Sequence, residues 1–398
     1  MKTEVFVNNC GNAATIIRSG GLVAVPTETV YGLAGNGLNE QAVERIYEVK
    51  GRPAVKPLSL MVRGVDAIDI YCNNVCSAAR ALAEKFWPGP LTIVLESKDC
   101  VPEIVRAGGT TVGLRCPSNE LTLEVLRQAA VPFAAPSANL SGEASPKTAR
   151  EVLHYFDGKI DGVIDGGPCD IGFESTIIDM STVPYRILRQ GSLSEKEIND
   201  ALVDHLSILG ITGPSGSGKT TALCALETEG YFIIDCDAVY RELLASSEPL
   251  NSELSSCFPA SVINGRVDRK LLGGIVFTNE AALMQLNQIS HRYITDKVRD
   301  LLLNYALHGG TKVAIDASEL IGSPIQPLCS CVIAIVAADD VRLARIMARD
   351  KIDQASVLAR MNSQHDITYY KENSNIFLEN NGDKKDFTEN FIKLIKEV

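Results

Sequence analysis

The sequence lacks the features that mark secreted, membrane-spanning or zinc-binding proteins. Its 11 cysteines are scattered and odd in number, and no two of them form a C-x-x-C pair. This pattern argues against a disulfide framework or a zinc site and is typical of a reducing compartment. The longest apolar run, residues 331–338, is too short to span a bilayer, and the N-terminus lacks the basic and apolar stretches of a secretion signal. We therefore expect a cytoplasmic protein with no membrane partner.

Positive charge is also scarce. The chain has 38 lysines and arginines against 49 aspartates and glutamates, a net charge of −11, and no basic block. A broad, sequence-independent grip on nucleic acid is therefore not expected, although a small basic site with weak affinity for tRNA is compatible with this composition. With 398 residues, 45% of them hydrophobic, the chain is long enough for two or three globular domains.

Two blocks of alternating strands and helices divide the chain. Strand candidates in the first block are residues 21–26, 91–96, 111–116, 133–138, 162–167 and 175–180. Those in the second block are residues 207–212, 231–235, 312–317 and 331–336. This rhythm predicts the α/β fold class for both blocks. We expect one domain over residues 1–198, a linker over 199–206, and a parallel, three-layer αβα domain over 207–398.

The stretch GPSGSGKT at positions 213–220 predicts a phosphate-binding loop (P-loop). It satisfies the pattern G-x4-G-K-T and stands between an apolar strand and a helix. In such a loop, backbone N–H groups surround phosphate oxygens, and the N-terminus of the following helix adds positive charge. We expect Lys219 to reach the β- and γ-phosphates and Thr220 to be a ligand of Mg²⁺. The predicted ATP-binding residues of this loop are Gly213, Pro214, Ser215, Gly216, Ser217, Gly218, Lys219, Thr220 and Thr221.

The segments after this loop point to a second substrate. Asp235 and Asp237 close a strand as D-x-D, and Arg241 follows. With residues 264–277, 286–294 and 345–350, they resemble the dephospho-CoA kinase family over nearly all of 207–398. The resemblance implies transfer of the ATP γ-phosphoryl group to the ribose 3′-hydroxyl of dephospho-CoA.

The same resemblance assigns roles to side chains outside the P-loop. Asp237 is implied as the general base that acts beside Lys219 in catalysis, and Arg345 and Arg349 are implied as ATP-binding residues of a lid. The implied acceptor-binding residues are Asp237, Arg241, Arg269 and His291.

Several positions of the second block depart from the kinase pattern. Pro214 replaces a glycine of the P-loop, Arg292 stands where proline is expected, and Asn375 stands where aspartate is expected. The segment 316–323, DASELIGS, keeps only the acid Glu319 of a P-L-L-F-E motif. An alternative interpretation is therefore a degenerate or regulatory ATP-binding domain.

The first block carries its charged side chains in Gly- and Pro-rich turns. Lys50 and Arg52 stand two residues apart at the end of a helix, where they suit a triphosphate or a pyrophosphate leaving group. Arg115 ends a strand beside a proline turn and suits a carboxylate. The residues show no Ser–His–Asp or Cys–His arrangement, which fits chemistry driven by positioning and charge neutralisation.

Ordered motifs in the first block resemble the threonylcarbamoyl-AMP synthase (YrdC-like) family. They are PTETVYGLAGNG (26–37), IYEVKGRPAVKPLSLMV (46–62), FWPGPLTIVL (86–95), TVGLRCPSN (111–119), APSANLSGEASP (135–146), FESTIIDM (173–180) and ILRQGSLS (187–194). The resemblance implies a twisted α/β domain that forms threonylcarbamoyl-AMP and pyrophosphate from L-threonine, bicarbonate and ATP. The product would supply proteins that form threonylcarbamoyladenosine in tRNA, with Mg²⁺ as the phosphate counter-ion.

The family motifs also imply the substrate-binding residues of the first block. Those implied for L-threonine are Thr27, Arg115 and Ser175. Those implied for ATP are Lys50, Arg52, Thr111, Ser137, Asn139, Ser145 and Arg189, of which Lys50 and Arg52 are also the catalytic candidates. The leading interpretation is a bifunctional enzyme. The alternative for the first block is an RNA-binding module, which its excess of acidic residues disfavours.

Overall fold

The computed structural model describes residues 2–7, 9–276 and 278–397. Phe277, the last residue of the motif at 264–277, lies outside the described residues. The chain divides into two compact units: unit 1 holds residues 1–205 and 307–309, and unit 2 holds residues 206–306 and 310–398. Within the described residues, no helix is both long and apolar enough to cross a membrane.

Unit 1 is a mixed α/β domain. Its strands are β1 (Glu4–Phe6), β2 (Val23–Val25), β3 (Gly32–Asn36), β4 (Ser59–Met61), β5 (Leu91–Glu96), β6 (Thr111–Arg115), β7 (Phe133–Ala134), β8 (Gly162–Ile164), β9 (Thr176–Asp179) and β10 (Arg186–Arg189). Its helices are α1 (Cys10–Arg18), α2 (Glu40–Lys50), α3 (Ala67–Tyr71), α4 (Ser77–Phe86), α5 (Glu103–Arg106), α6 (Glu120–Ala129), α7 (Ala149–Phe156) and α8 (Glu195–Asp204).

These strands form one ten-stranded sheet in the order β1-β8-β2-β3-β7-β4-β6-β5-β9-β10. Parallel pairs such as β4–β6 and β5–β9 alternate with antiparallel pairs such as β5–β6. Strand β10 lies at one edge, and its pairing with β9 shifts register between Ile187 and Arg189. Helices α1 and α6 pack against the other half of the sheet, where Ile17, Val23 and Phe133 belong to one buried cluster.

Two local features of unit 1 place charged residues at its loops. Helix α2 ends at Gly51, whose φ of 59° is the left-handed conformation that glycine adopts readily, so the chain turns between Lys50 and Arg52. Gly191 allows a close approach of backbone, because a Cβ there would lie 2.3 Å from the carbonyl oxygen of Glu174. Both glycines therefore fix loops that carry candidate site residues.

The segment 199–206, expected to be a linker, is helical as far as Asp204. Helix α8 starts at a capping box in which Ser194 and Glu197 bond reciprocally. It buries Ile198, Ala201 and Leu202, so the segment is part of unit 1 and not an extended connection. The linker prediction is thus wrong for residues 199–204, since capping and an apolar stripe extend the helix beyond residue 198.

Unit 2 begins directly with a strand. Its strands are β11 (Ser207–Thr212), β12 (Phe232–Asp235), β13 (Val262–Ile263), β14 (Arg266–Val267), β15 (Lys312–Asp316), β16 (Cys331–Val336) and β17 (Ile376–Glu379). Its helices are α9 (Lys219–Thr228), α10 (Cys236–Ser246), α11 (Glu248–Cys257), α12 (Arg269–Val276), α13 (Glu280–Leu307), α14 (Asp339–Asp350), α15 (Gln354–Asn362), α16 (Ile367–Asn373) and α17 (Lys384–Ile395). Short 3₁₀ helices cover Pro259–Ser261 and Gln326–Leu328.

The main sheet of unit 2 is fully parallel, in the order β12-β15-β11-β16-β17. Side chains of β16 alternate between two buried clusters. Ile333 and Ile335 pack with α9 and α17, whereas Ala334 and Val336 pack with Tyr370 of α16. Helices therefore cover both faces of the sheet, and the prediction of a three-layer αβα domain is confirmed.

Candidate active sites

A pocket of about 200 Å³ in unit 1 collects residues from several loops and strand ends. Five of the residues predicted to bind threonine or ATP line it: Arg52, Arg115, Ser137, Ser175 and Arg189. Thr92 and Glu174, which were not predicted as site residues, line it as well. Residues that are 137 positions apart along the chain therefore meet around one small, polar space.

Lys50 lies beneath the wall of this pocket. Its side chain is only 2% exposed, and its ammonium donates to the backbone carbonyls of Ser137 and Asn139, the latter at 2.6 Å. Burial, and then the charge of Arg52, lowers the pKa of Lys50 to about 7. Lys50 therefore holds the 137–139 loop in position. The sequence predicted a direct phosphate contact for this residue, but Lys50 is not among the residues that line the pocket.

Of the two cations Lys50 and Arg52, it is Arg52 that lines the pocket. Its guanidinium donates to the carbonyl oxygens of Lys56 and Pro57 at 3.2 and 2.9 Å, which fixes the turn after α2. Burial lowers the pKa of Arg52, but an arginine stays charged at neutral pH. This side chain therefore presents a fixed positive charge to the pocket.

Arg115, at the end of β6, is held by a buried ion pair. Its Nη2 donates to Glu28 at 2.7 Å and to the hydroxyl of Thr29 at 2.8 Å, and both charged side chains are less than 9% exposed. Glu28 in turn accepts from the backbone N–H of Ser118 at 3.0 Å. The Nε of Arg115 is buried and has no hydrogen-bond partner, so the guanidinium keeps one unused donor. Such a donor suits an incoming carboxylate.

Arg189 and Glu174 form a second ion pair at the pocket. Arg189 donates to Glu174, to the carbonyl oxygen of Ser175 at 2.9 Å and to its hydroxyl at 3.2 Å. The other carboxylate oxygen of Glu174 accepts from the hydroxyl of Ser145 at 3.0 Å. Ser175 also hydrogen-bonds with Thr92 at 3.0 Å. Two predicted ATP-binding residues, Ser145 and Arg189, thus share one carboxylate.

Other proposed residues of unit 1 lie outside the lining of this pocket. Thr27 is buried, and its hydroxyl donates to the carbonyl of Val30 at 2.7 Å, so it shapes the loop that carries Glu28. Asn139 bonds within its own loop, to the carbonyls of Leu140 and Glu143. Thr111 starts β6, at the opposite end of the strand from Arg115. Direct substrate contacts by these three residues stay predictions.

In unit 2, the P-loop connects β11 to α9 and adopts backbone conformations that its glycines permit. Gly218 has a φ of 102°, and a Cβ there would lie 2.0 Å from Nδ2 of Asn380. Gly213 has a φ of 137°, and a Cβ there would lie 2.0 Å from the carbonyl oxygen of Ile335. Lys219 donates to the carbonyl of Gly213 at 2.6 Å, and burial lowers its pKa. The loop is therefore preshaped around its lysine.

A cavity of about 310 Å³ opens over this loop. The predicted residues that line it are Pro214, Ser215, Gly216, Ser217, Gly218, Lys219, Thr220, Asp237, Arg345 and Arg349. Asp316, Ser318 and Arg360 complete the lining. Gly213 and Thr221, by contrast, are not lining residues.

Asp237 and Asp316 lie near the lysine of the P-loop, and a third aspartate, Asp235, neighbours Asp316. Asp235 and Asp316 are register partners at the ends of β12 and β15. Asp235 caps α10 through the N–H of Ala238 at 2.9 Å, whereas Asp237 lines the cavity. Asp316 has a buried Oδ1 with no hydrogen-bond partner, and burial raises its pKa to about 6. Asp316 was given no role from the sequence, although its position at the end of the apolar strand KVAID could have indicated one.

Two further side chains fix the P-loop from the side of α14 and β17. Arg342, only 4% exposed, donates to the carbonyl of Ser215 at 3.0 Å and to Gln364 at 2.8 Å. Asn380 donates to the carbonyl of Ser217 at 2.8 Å and accepts at its own carbonyl from Arg345 at 2.9 Å. Arg345 is thus oriented over the loop, while Arg349 bonds to Asp350 at 2.6 Å.

The proposed acceptor residues are less concentrated than the P-loop residues. Asp237 alone lines the P-loop cavity. Arg241 is more than half exposed and lies 3.7 Å from Asp235, and Arg269 begins α12. His291 lines a separate groove of about 750 Å³ along α13, and burial lowers its pKa while Glu319 opposes that effect. The structure therefore does not bring the four residues into one cavity.

Within the described residues, no group of three or more His, Cys, Asp or Glu side chains is arranged to hold a metal ion. Thr220 and Asp316 both line the P-loop cavity. The unpartnered carboxylate oxygen of Asp316 is the kind of hard ligand that Mg²⁺ prefers. This pair fits a Mg²⁺ ion held jointly with nucleotide phosphates.

Comparison with known proteins separates the same two units. The family model Sua5_yciO_yrdC, described as telomere recombination, matches residues 15–191, and the model CoaE, described as dephospho-CoA kinase, matches residues 207–386. The threonylcarbamoyl-AMP synthase of Pyrococcus abyssi is 46% identical over 190 residues, which are 48% of this chain and 56% of that protein.

Two further relatives agree with this match. The putative threonylcarbamoyl-AMP synthase of Methanocaldococcus jannaschii is 38% identical over 175 residues, covering 44% of this chain and 82% of that protein. A solved structure of a P. abyssi Sua5 variant has a TM-score of 0.50 and 37% identity, and covers 58% of this chain and 78% of that chain. The chain spans about half the length of the first curated relatives it matches.

The sequence motifs of unit 1 agree with these relatives, and the P-loop and parallel sheet of unit 2 agree with the second family model. The chain therefore belongs to the Sua5–YciO–YrdC family through its N-terminal unit, and its C-terminal unit is similar to the dephospho-CoA kinase family model over residues 207–386.

Proposed function

We propose that unit 1 forms threonylcarbamoyl-AMP and pyrophosphate from L-threonine, bicarbonate and ATP, and so supplies proteins that form threonylcarbamoyladenosine in tRNA. The names of the relatives support this reaction. The observation that carries the proposal is the guanidinium of Arg115, which lines the pocket with a buried, unpartnered Nε. A carboxylate of the size of threonine's would satisfy that donor, and Ser175 lies in the same pocket to accept or donate a further bond.

The cations of the pocket suit the nucleotide half of the reaction. In the proposed step, a carbamate oxygen of carboxylated threonine attacks the α-phosphorus of ATP, and pyrophosphate leaves. Arg52 and Arg189 line the pocket as fixed positive charges that can stabilise the leaving group. Lys50 acts indirectly, because its ammonium holds the carbonyls of the Ser137 and Asn139 loop.

The test for unit 1 is pyrophosphate release that depends on both threonine and bicarbonate. We expect R52A to reduce this release by about 100-fold, because the variant loses a preorganised cation at the leaving group. K56A is the matched control, since it removes an exposed cation from the same loop that does not line the pocket. Release that is independent of threonine, or insensitive to R52A, would contradict the proposal.

We propose that unit 2 transfers the γ-phosphoryl group of ATP to the 3′-hydroxyl of dephospho-CoA. The observation that carries this proposal is the cavity in which the P-loop faces Asp237 and Asp316. Lys219 and Arg345 can neutralise the moving phosphoryl charge, and Asp237 can accept the proton of the acceptor hydroxyl. The match of residues 207–386 to the dephospho-CoA kinase family model supports dephospho-CoA as the acceptor.

Magnesium fits the second site through Thr220 and Asp316. When bound with ATP, Mg²⁺ would supply charge neutralisation at the phosphates. Burial favours the neutral carboxylic acid of Asp316, whereas Lys219 favours its charged form. This carboxyl group must therefore lose its proton before it can serve as an anionic ligand.

The test for unit 2 is ADP formation by the full chain with and without dephospho-CoA. We expect dephospho-CoA to stimulate ADP formation, and we expect K219A to abolish that stimulation while threonine-dependent pyrophosphate release continues. R52A should give the reciprocal result. ATP binding without stimulation by dephospho-CoA would favour a regulatory domain, and phosphorylation of a simpler dephospho-nucleoside instead would refute the acceptor assignment.

A further inference from the structure

The carboxylate of Glu174 occupies an unusual place for an acidic group. Among the described residues that line the pocket of unit 1, it is the one carboxylate, and three arginines line the same space: Arg52, Arg115 and Arg189. Of these, Arg115 is already paired with Glu28, outside the lining. The acid is therefore set among cations that the proposed function assigns to an anionic nucleotide.

The donors bound to Glu174 are donors that a phosphate would use. One oxygen accepts from the guanidinium of Arg189, and the other accepts from the hydroxyl of Ser145 at 3.0 Å. Guanidinium and hydroxyl groups recognise carboxylate and phosphate oxygens in the same way. A phosphate and Glu174 cannot occupy these donors together without close approach of like charges.

We infer that Glu174 is an internal stand-in for a nucleotide phosphate, which occupies Arg189 and Ser145 in the empty site and leaves them when ATP binds. This inference rests on the proposed function of unit 1. The residue then sets the affinity for ATP: it keeps the cationic subsite neutral between turnovers, and every nucleotide must displace it.

The surroundings of Glu174 allow this movement of the side chain while the backbone stays in place. The carbonyl oxygen of Glu174 accepts from the N–H of Ser192 at 3.1 Å, and its neighbour Ser175 is buried. The side chain of Glu174, however, is 38% exposed, so rotation about its side-chain bonds can carry the carboxylate toward solvent. Ion pairs with this exposure stabilise a structure only weakly.

The experiment measures binding of α,β-methylene-ATP, with and without Mg²⁺, by isothermal titration calorimetry in the absence of threonine and bicarbonate. The full chain carries K219A throughout, so that the P-loop of unit 2 does not contribute to the signal. We expect E174Q to bind the analogue about fivefold more tightly than the parent chain, because the competing charge is removed and the pair is partly exposed. E174A is a second variant with the same expected direction.

The matched control is E124Q, which removes the acid of another partly exposed pair, Glu124 with Arg127, away from the pocket. It should leave the affinity unchanged. Equal or weaker binding by E174Q and E174A overturns the inference, and weaker binding only in the presence of Mg²⁺ would assign Glu174 to the metal instead. If the parent chain binds no analogue at all, both the inference and the proposed function of unit 1 fail.

Discussion

The buried ammonium of Lys50 makes a quantitative prediction about stability. Burial lowers its pKa to about 7 in the folded unit, whereas an unfolded lysine titrates near 10.5. Between these values the unfolded chain holds a proton on Lys50 that the folded unit has lost. Unfolding therefore takes up a proton, and the contribution of Lys50 to stability becomes more favourable as the pH rises from 7 toward 10.

The perturbation is K50M, which keeps an unbranched side chain and removes the titrating group. Full uptake of one proton corresponds to about 1.4 kcal/mol of unfolding free energy for each pH unit. We expect the unfolding free energy of the parent chain, relative to that of K50M, to rise by about 1.4 kcal/mol per pH unit between about pH 7.5 and 9.5. Loss of the bonds to Ser137 and Asn139 adds an offset that does not depend on pH.

The assay is urea unfolding followed by tryptophan fluorescence. Trp87 is the only tryptophan of the chain, lies in unit 1 and is 7% exposed, so its signal reports this unit alone. The control is K56M, an exposed lysine whose difference from the parent should stay constant over this range. Parallel pH curves for the parent and K50M would refute the reasoning, because they would mean that Lys50 keeps its charge in the folded unit.

The sites make three further predictions. R115K should raise the KM for threonine by about tenfold without changing that for ATP, since an ammonium cannot reproduce the guanidinium fork; an unchanged threonine KM in pyrophosphate-release assays would count against Arg115 as the carboxylate site. The kcat/KM of the kinase reaction should fall as the pH drops through about 6, where Asp316 takes up its proton, and D316N should lack this limb in a pH–rate profile. A limb that persists in D316N would place the titration elsewhere. G218A should weaken ATP binding by unit 2 by about tenfold, because its Cβ would lie 2.0 Å from Asn380; calorimetry that shows equal affinity would contradict this.

Sequence patterns predicted those parts of the fold that are determined by residues close together along the chain. The strands Ser207–Thr212 and Cys331–Val336 coincide with apolar runs, and the P-loop follows its motif. Strand β3, GLAGN, was not predicted, because two glycines give it little strand propensity. Instead, β3 is stabilised by pairing with its neighbour β2 and with β7, which is far away along the chain.

The site residues show the same limit. Glu28 and Arg115 are 87 positions apart, and nothing in either local sequence indicates that they pair. Lys50 is different, because the buried residues of α2 are Ala42, Val43, Ile46, Tyr47 and Lys50. Their helical spacing puts Lys50 on the inner face, and this signal could have shown that it supports a loop and does not line the pocket.

Strand β10 adds a consequence for anyone who alters the pocket. An edge strand leaves backbone N–H and C=O groups that can pair with another chain and start aggregation. Here Arg186 and Arg189 stand at the two ends of the strand, and the register shift before Arg189 interrupts its pairing pattern. We therefore expect Arg189 also to help keep this edge from recruiting a second molecule. Replacing it with an apolar residue should promote self-association, so activity lost in such a variant has to be separated from protein lost to aggregates.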